Sequence, residues 1–529
     1  MKSTHNNPLL LSLLAGICLW AGWPSSPFFP FLFIGMALFL RSAMILIETK
    51  RSNLAYFSIL YLGLLTWNSL GTWWLYHATI GGLLMANLAN AALMTLPFFF
   101  MKFAYKTGIK KLVMPVFVFS WLGFEYLHHN WSLTWPWLTL GNGLAKFPEI
   151  VQWYEYTGTA GGSLWILIVS ALLYSIFSEM NKLKMLSAMG VFLLPIFVSF
   201  LIFKNYELNP SNSSNTVEVV VLQPNFNTFT QKWSDGKDFI PYYEQLKIMI
   251  EKSREKLTQK TAFLVWPETS ISGSHRESYF KSGEYFGALK TFLKDYPNLS
   301  LVAGFDSYEL CKDQQNPTEF ASFQEGLGYY ESYNSALLFS KDSISIYHKS
   351  KFVPGAEQVP FPWLITPLEA ILGGVGFGHF FGQEYQVPFT NQTGVKVAPS
   401  ICYESIFGEH IAEFNKNGAQ ILFILTNDDW WNNTEGHRHH YDYARLRAIE
   451  NRLPIARSAN TGFSGFFNAK GEDFLKTEYR QNACLKSEIV LGNTNLTFYA
   501  NHGDYIGKIA SLLLLFLLVF IIIKKITLK

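Results

Sequence analysis

The sequence predicts a multi-span α-helical membrane domain joined to a soluble, layered α/β domain. Of its 529 residues, 49% are hydrophobic and only 15% are charged, well below the roughly 25% of charged residues in soluble domains. Apolar segments dominate up to about residue 204. Between residues 207 and 500, short β-rich apolar runs alternate with helical patterns, which is typical of a layered α/β domain.

Seven apolar segments precede the soluble part, and several approach the roughly 20 residues that cross a bilayer. A final apolar segment, Ile506–Ile523, follows the soluble part and precedes three lysines. The first segment resembles a signal-peptide core in length. Further spans follow it directly without a clear cleavage pattern, so we expect a retained helix. The seven segments are residues 8–23, 28–47, 54–72, 83–101, 112–127, 163–179 and 185–203.

The distribution of lysine and arginine predicts the orientation of these spans. The basic residues follow the second, fourth and sixth segments and flank both termini, whereas the other loops are nearly free of them. By the positive-inside rule both termini are cytoplasmic. We therefore predict a membrane domain with about seven transmembrane helices over residues 1–206, a domain on the outer side over 207–500, and a transmembrane helix with a short cytoplasmic tail over 501–529. In a Gram-negative bacterium the outer side is the periplasm.

Three chemically different polar residues each follow a short apolar run in the soluble part: Glu268 in "FLVWPETS", Lys349 in "ISIYHKSKF" and Cys402 in "VAPSICYES". Strand ends commonly carry catalytic groups, because a rigid sheet holds them in place. A thiolate attacks carbonyl carbon, a carboxylate takes the thiol proton, and an ammonium stabilises the oxyanion. Cys402 alone is typical of a small core residue. Together, the three residues favour a catalytic site.

The stretches "WPET", "YHKSKFVPGAE" and "ICYES" resemble, in this order, the Glu–Lys–Cys triad of the nitrilase (carbon–nitrogen hydrolase) superfamily, whose fold is an αββα sandwich. With membrane spans on both sides, the whole chain is similar to the apolipoprotein N-acyltransferase family. Further similarity lies in "LQPNFNTFTQKW", "NDDWWNNTEG" and "ARLRAIENRLPIARSANTG". The sequence departs from the family at Asp429 and Trp431, where Ala and Phe are more usual.

The resemblance implies that Glu268 is the general base, that Lys349 stabilises the oxyanion and that Cys402 is the nucleophile. The other matched residues are a second essential glutamate, Glu357, and three residues that support the site or bind substrate, Trp233, Tyr403 and Glu404. Purely structural roles stay open for these four residues. They are a surface ion pair for Glu357, a packed aromatic for Trp233, and support of the nucleophile loop for Tyr403 and Glu404.

The resemblance also implies a reaction. A fatty acyl chain moves from a phospholipid to the N-terminal amine of the diacylglyceryl-cysteine of an apolipoprotein, by a ping-pong mechanism through a cysteine thioester. No metal or organic cofactor is expected. The expected partners are the phospholipid donor and the diacylated apolipoprotein acceptor. The expected location is the bacterial inner (cytoplasmic) membrane, with the catalytic domain periplasmic and the chain monomeric.

Two other classes of function stay open. A membrane-anchored nitrilase-type amidase would carry the same triad and use water as acceptor. A catalytically dead lipoprotein-binding protein would keep the fold, although the intact triad argues against it. The net charge of +3 and the lack of a basic stripe argue against nucleic acid. The "HRHH" stretch at 437–440 lacks an evident third metal ligand, and a Cys311–Cys484 disulfide is left open.

Overall fold

The computed structural model describes residues 7–24, 26–178, 180–208, 216–341, 343–365, 378–492 and 495–527. The chain divides into two compact units. The first unit is Met1–Tyr206 together with His502–Lys529, and the second is Glu207–Asn501. The first unit therefore contains both ends of the chain, and the second is inserted between two of its helices.

The first unit is built from helices. Among the described residues, six stretches are long and apolar enough to cross a membrane: Pro30–Glu48, Asn53–His77, Ile80–Lys106, Tyr154–Phe177, Lys182–Asn205 and Tyr505–Ile526. Two further helices, Pro8–Ala21 and Val113–Asn130, have 14 and 18 residues. The apolar segments of the sequence lie mainly within these eight helical regions, and the chain is a multi-span membrane protein.

Glycine allows two helices of the first unit to pack closely. Gly16 of helix Pro8–Ala21 faces Gly63 of helix Asn53–Thr72, and a Cβ atom on Gly16 would lie 2.2 Å from the Gly63 carbonyl oxygen. The backbones can approach only because both residues lack a side chain. Small residues at such crossings are typical of membrane helices, where association depends on van der Waals packing.

The last helix, Tyr505–Thr527, packs along helix Val113–Asn130. Near one end of this contact Val116 and Ile521 are buried in one apolar cluster. Between these two helices lie 374 residues of sequence, and the second unit is synthesised between them.

The second unit contains two β-sheets. Its strands are β1 (Thr216–Gln223), β2 (Thr261–Val265), β3 (Ile271–Arg276), β4 (Ser300–Leu310), β5 (Ser322–Gln324), β6 (Gly328–Ser340), β7 (Ser343–His348), β8 (Phe389–Thr390), β9 (Lys396–Ile401), β10 (Ile421–Thr426), β11 (Ile455–Ala459), β12 (Gly465–Phe467), β13 (Asp473–Lys476) and β14 (Ala483–Val490). The first sheet has the order β14-β1-β2-β4-β6-β5, with β3 beside β4 and β7 beside β6. The second has the order β13-β12-β11-β10-β9-β8.

The two sheets pack face to face over an apolar core. Phe263 of β2 and Phe423 of β10 meet edge to face, with ring centroids 5.2 Å apart. Strand β10, "ILFILT", is buried along its whole length, as expected for a strand covered on both sides. Two helices cover each outer face: Tyr242–Arg254 and Glu284–Lys294 on the first sheet, Gly408–Lys416 and Glu435–Asn451 on the second. The predicted αββα sandwich is confirmed.

Strand direction brings three chain segments to one edge of the sandwich. Strands β2 and β4 are parallel, and two antiparallel steps, β4 to β6 and β6 to β7, give β7 the same direction. Strands β9 and β10 are parallel in the second sheet. Glu268, Lys349 and Cys402 follow β2, β7 and β9, so each lies at the carboxyl end of its strand.

All four cysteines carry free thiols. Cys311 follows β4, and Cys484 lies within β14. Strands β1 and β2 lie between β14 and β4 in the first sheet. The disulfide that the sequence left open between these two residues is therefore not formed in the structure.

Candidate active site

Glu268, Lys349 and Cys402 meet in a buried site between the sheets. The Lys349 ammonium lies 3.5 Å from Glu268 Oε1. The side chain of Lys349 is fully buried, and Glu268 and Cys402 are 6% and 8% exposed. Both charged groups act on the Cys402 thiol electrostatically. The three strand ends that the sequence singled out are thus brought together by the fold.

The carboxylate of Glu268 is held from both sheets. Asn334 Nδ2, from β6, donates to Oε1 at 2.8 Å, and the backbone N–H of Asn427, just after β10, donates to Oε2 at 3.1 Å. Each oxygen therefore has a fixed donor. An acid-base group held in this way is aimed at one point, which general-base catalysis requires.

The turn that carries Glu268 lies directly against Gly304 of β4. A Cβ atom on Gly304 would lie 2.2 Å from the Thr269 nitrogen and 2.6 Å from Glu268 Cα. The Gly304 N–H also donates to the Pro267 carbonyl at 3.1 Å. Glycine is required here because any side chain would displace the turn.

Lys349 is paired with a second carboxylate. Its Nζ donates to Glu357 Oε1 at 2.6 Å, and Glu357 Oε2 accepts from the Val353 N–H at 2.8 Å. Burial disfavours the ammonium, but Glu357 and Glu268 outweigh burial and raise the pKa of Lys349 well above its usual range. Lys349 is therefore a permanent cation in this site. Glu357, expected from the resemblance, lies in direct contact with the triad.

Cys402 has an unusual backbone conformation. Its φ is +51°, in the left-handed region that L-residues other than Asn, Asp and His seldom adopt. Burial, together with the Glu268 carboxylate, raises the pKa of the Cys402 thiol well above its usual range, and Lys349 acts in the opposite direction. These surroundings therefore favour the neutral form of the thiol.

Glu404 ties the ends of two strands together. Its Oε1 accepts from the Ser350 N–H at 2.7 Å, immediately after Lys349, and its Oε2 accepts from the Ile401 N–H at 2.8 Å, immediately before Cys402. Glu404 is fully buried and points into the protein. The structure thus gives it a supporting position. Tyr403 is also buried, with its ring edge to face against Phe407 at 5.1 Å.

Trp233 lies at the end of the turn Thr228–Lys232 and is partly exposed. Asp429 fixes this turn: its Oδ2 accepts from the Thr228 N–H at 2.8 Å, and its Oδ1 accepts from Tyr479 Oη at 3.0 Å and from Arg480 Nη2 at 3.2 Å. The departure from the family at Asp429 thus has a clear structural role.

Two features of the site were not predicted from the sequence. One is Asn334, whose Nδ2 lies 2.8 Å from Glu268 and 3.3 Å from Glu357. The signal for it is a buried amide within the apolar run "NSALLF" of β6. The other is a buried ion pair, in which Arg457 Nη2 lies 2.8 Å from Asp428 Oδ2. Burial disfavours the Asp428 carboxylate, but Arg457 and His440 hold its pKa well below its usual range.

The "HRHH" histidines serve different parts of the fold. His437 packs between the rings of Phe463 and Tyr479, with centroids at 4.8 and 4.7 Å. His440 instead bonds to Asp428, with Nδ1 at 3.0 Å from Oδ1. Among the residues described, no group of three or more His, Cys, Asp or Glu side chains is arranged to hold a metal ion.

Comparison with known proteins identifies both parts of the chain. A family model described as "Apolipoprotein N-acyltransferase N-terminal domain" matches residues 15–172, and one described as "Carbon-nitrogen hydrolase" matches residues 230–490. Among solved structures, the chain is similar to a carbon–nitrogen hydrolase from Helicobacter pylori. The identity is 18% with a TM-score of 0.34, over 52% of this chain and 89% of that one.

Relatives align along nearly the full length. The chain is 27% identical to the apolipoprotein N-acyltransferase of Chlorobaculum tepidum, over 95% of this chain and 93% of the relative. It is 25% identical to the protein of that name from Geobacter metallireducens, over 94% and 91% of the two chains. Because the two family models follow each other in this chain and these relatives span both, the chain belongs to the apolipoprotein N-acyltransferase family of the carbon–nitrogen hydrolase superfamily.

Proposed function

We propose that the chain transfers a fatty acyl chain from a phospholipid to the N-terminal amine of the diacylglyceryl-cysteine of apolipoproteins. The observation that carries this proposal is the cluster of Glu268, Lys349, Glu357 and Cys402, in a chain that also has membrane-spanning helices. Both substrates have acyl tails in a bilayer. A membrane-embedded enzyme meets them by lateral diffusion within that bilayer.

In the first half-reaction, Cys402 is the nucleophile and Glu268 is the general base. Glu268 takes the thiol proton as sulfur attacks the ester carbonyl of the phospholipid, giving a tetrahedral oxyanion. The Lys349 ammonium stabilises this oxyanion. The intermediate then collapses to a thioester, and the leaving alkoxide takes the proton back from Glu268 as a lysophospholipid.

In the second half-reaction, the acceptor amine attacks the thioester. Glu268 takes a proton from the amine as the C–N bond forms, and Lys349 stabilises the second oxyanion. The C–S bond then breaks, the sulfur recovers a proton from Glu268, and an amide is released. Glu357 supports both steps, because its contact with Lys349 at 2.6 Å keeps the ammonium in place.

The supporting residues have graded roles in this proposal. Trp233, at the exposed side of the turn that Asp429 fixes, contacts substrate. Tyr403 and Glu404 support the nucleophile. Glu404 fixes the backbone directly after Lys349 and directly before Cys402. The mechanism uses only groups of this chain and its two substrates.

We further propose the arrangement in the cell. The first unit is the membrane domain, completed by the C-terminal helix, and the second unit is the catalytic domain. The basic residues in alternate loops favour cytoplasmic termini, with the catalytic domain on the periplasmic side of a bacterial inner membrane. The enzyme is proposed to act as a monomer, because every group of the site comes from one chain. Labelling of a single introduced cysteine in intact cells, once at an exposed position of the second unit and once near Lys529, would test this orientation.

The decisive experiment is the intact mass of the purified protein after incubation with phospholipid vesicles. Wild type should gain a hydroxylamine-labile fatty acyl adduct, and Cys402→Ser should gain no such thioester. Addition of a diacylglyceryl-cysteine peptide should remove the adduct and acylate the peptide amine.

Two other results would change the assignment. An adduct that is discharged only to water would identify a membrane-anchored hydrolase. A wild-type protein that takes no adduct from any phospholipid, while Cys402 remains reactive to small alkylating agents, would contradict acyl transfer from phospholipid.

A further inference from the structure

The imidazole of His440 reaches the backbone of the nucleophile. His440 lies on helix Glu435–Asn451 and is 1% exposed. Its Nε2 is 3.0 Å from the carbonyl oxygen of Cys402 and 2.9 Å from Ser405 Oγ. Because a carbonyl oxygen can only accept, Nε2 carries the proton and donates to Cys402.

The other ring nitrogen of His440 contacts the buried ion pair of Asp428 and Arg457. Nδ1 lies 3.0 Å from Asp428 Oδ1 and 3.0 Å from Arg457 Nη2. When Nδ1 carries a proton it donates to Asp428, and when it does not it accepts from Arg457. With Nε2 protonated, as its contact with the Cys402 carbonyl oxygen requires, both arrangements of Nδ1 direct the Nε2–H at Cys402.

The carbonyl that His440 holds belongs to a strained residue. Cys402 has φ +51°. A residue other than glycine keeps this conformation only where the surrounding structure enforces it. The Ser405 hydroxyl donates to the same carbonyl oxygen at 2.8 Å. Two side chains thus donate to the Cys402 carbonyl oxygen and so fix the orientation of its peptide group.

We propose that His440 is a positioning residue for Cys402, oriented in turn by Asp428 and Arg457. By fixing the Cys402 carbonyl, His440 keeps the thiol directed at the substrate carbonyl and at Glu268. This role of His440 rests on the proposed acyl transfer. Its effect on Cys402 itself does not depend on which acceptor takes the acyl chain. Misplacement of a reacting group by about 1 Å can reduce a rate about 100-fold.

The test compares His440→Ala, His440→Gln and a matched control, His439→Ala. His439 is also buried on the same helix, and its ring stacks on Tyr443. For each folded variant, the rates of thioester formation and of Cys402 alkylation by iodoacetamide are measured. We expect His440→Ala to slow both about 10- to 100-fold with an unchanged KM for phospholipid. Glutamine offers an amide donor near the Nε2 position, so His440→Gln should recover most of both rates, and His439→Ala should behave as wild type.

Several results would overturn the proposal: wild-type rates in folded His440→Ala, a loss confined to KM, or equal losses in His440→Gln and His440→Ala. If His440→Ala does not fold, Asp428→Asn decides, because it keeps the imidazole and weakens its orientation. Because the Asp428 carboxylate also raises the pKa of the Cys402 thiol, the alkylation rates are compared at their high-pH plateau, where the thiol is fully ionised. Asp428→Asn should lose part of the plateau rate, and an unchanged plateau would contradict the proposal. A protein that hydrolyses the thioester instead of transferring the acyl chain would still show the alkylation effect, so failure of the proposed function remains distinguishable.

Discussion

Asn334 donates a hydrogen bond of 2.8 Å to Glu268, and so joins the middle of strand β6 to the proposed general base. The same Nδ2 atom lies 3.3 Å from Glu357. One buried amide therefore separates two carboxylates that would otherwise repel each other, while Lys349 neutralises part of their charge.

Replacing Asn334 with Leu should remove this donor while keeping the number and branching of the side-chain heavy atoms. A lost hydrogen bond to a buried charged group costs about 1.5–3 kcal/mol, so the first half-reaction should slow about 10- to 100-fold. The measurement is the rate of thioester formation at saturating phospholipid. The matched control is Ser335→Ala in the same strand, whose hydroxyl bonds to Ser307 instead. Equal losses in both variants would show that the effect is not specific to Glu268.

The pH dependence of Cys402 alkylation should respond in opposite directions to two substitutions. Glu268 raises the thiol pKa and Lys349 lowers it, so Glu268→Gln should move the alkylation midpoint to lower pH and Lys349→Met to higher pH. In wild type the midpoint should lie above the ordinary thiol value of about 8.5. The midpoint is read from the rate of iodoacetamide labelling of the Cys402 peptide across pH.

Cys484 provides an internal control for this titration. Burial, with a contribution from Glu255, raises its pKa to about 12, and neither substitution touches its surroundings. Its labelling should be the same in all three proteins. A shift of Cys402 in the same direction for both variants would refute the electrostatic assignment.

Gly304→Ala should impair catalysis through the turn that carries Glu268. The added Cβ would lie 2.2 Å from the Thr269 nitrogen, so the turn must move and Glu268 with it. We expect at least a tenfold loss of kcat, or about 1.4 kcal/mol in the barrier, with a lower melting temperature. Gly287→Ala is the matched control, because its Cβ would meet no atom within 4 Å. Full activity in Gly304→Ala would mean that the turn can move without moving the carboxylate.

Asp429→Ala should weaken substrate binding more than it weakens chemistry. The substitution leaves the buried Thr228 N–H without its 2.8 Å acceptor, which costs about 1–3 kcal/mol, and it frees the turn that ends at Trp233. KM for phospholipid should rise several-fold while kcat changes little. Arg480→Ala should have a smaller effect, because the bonds from Thr228 and Tyr479 remain. A kcat loss without a KM change would place Asp429 with the catalytic groups instead.

The sequence predicted the elements whose signal is local. Membrane helices and buried strands appear as apolar runs of characteristic length, and "ILFILT" needs no partner to be recognised as a buried strand. The three strand-end residues were also visible, because Glu268, Lys349 and Cys402 each follow an apolar run. Their meeting at one edge follows from strand directions that the sequence alone does not fix.

Contacts between distant segments could not be predicted in this way. Glu404 is 54 residues from Ser350 in sequence, yet their bond of 2.7 Å decides that the carboxylate points inward. His440 and Cys402 are likewise 38 residues apart. Such bonds depend on how distant segments are placed against each other. The pattern of apolar residues does not fix that placement precisely enough to predict a hydrogen bond.

The packing of helix Tyr505–Thr527 along helix Val113–Asn130 has a consequence for how the protein is made. A ribosome finishes the whole second unit before it begins the helix that completes the first. Until then, Val116 lacks its partner Ile521, and the face of helix Val113–Asn130 that the last helix covers has no protein partner there. A chain ending after residue 501 would thus contain every strand of the second unit but would leave helix Val113–Asn130 without its partner helix.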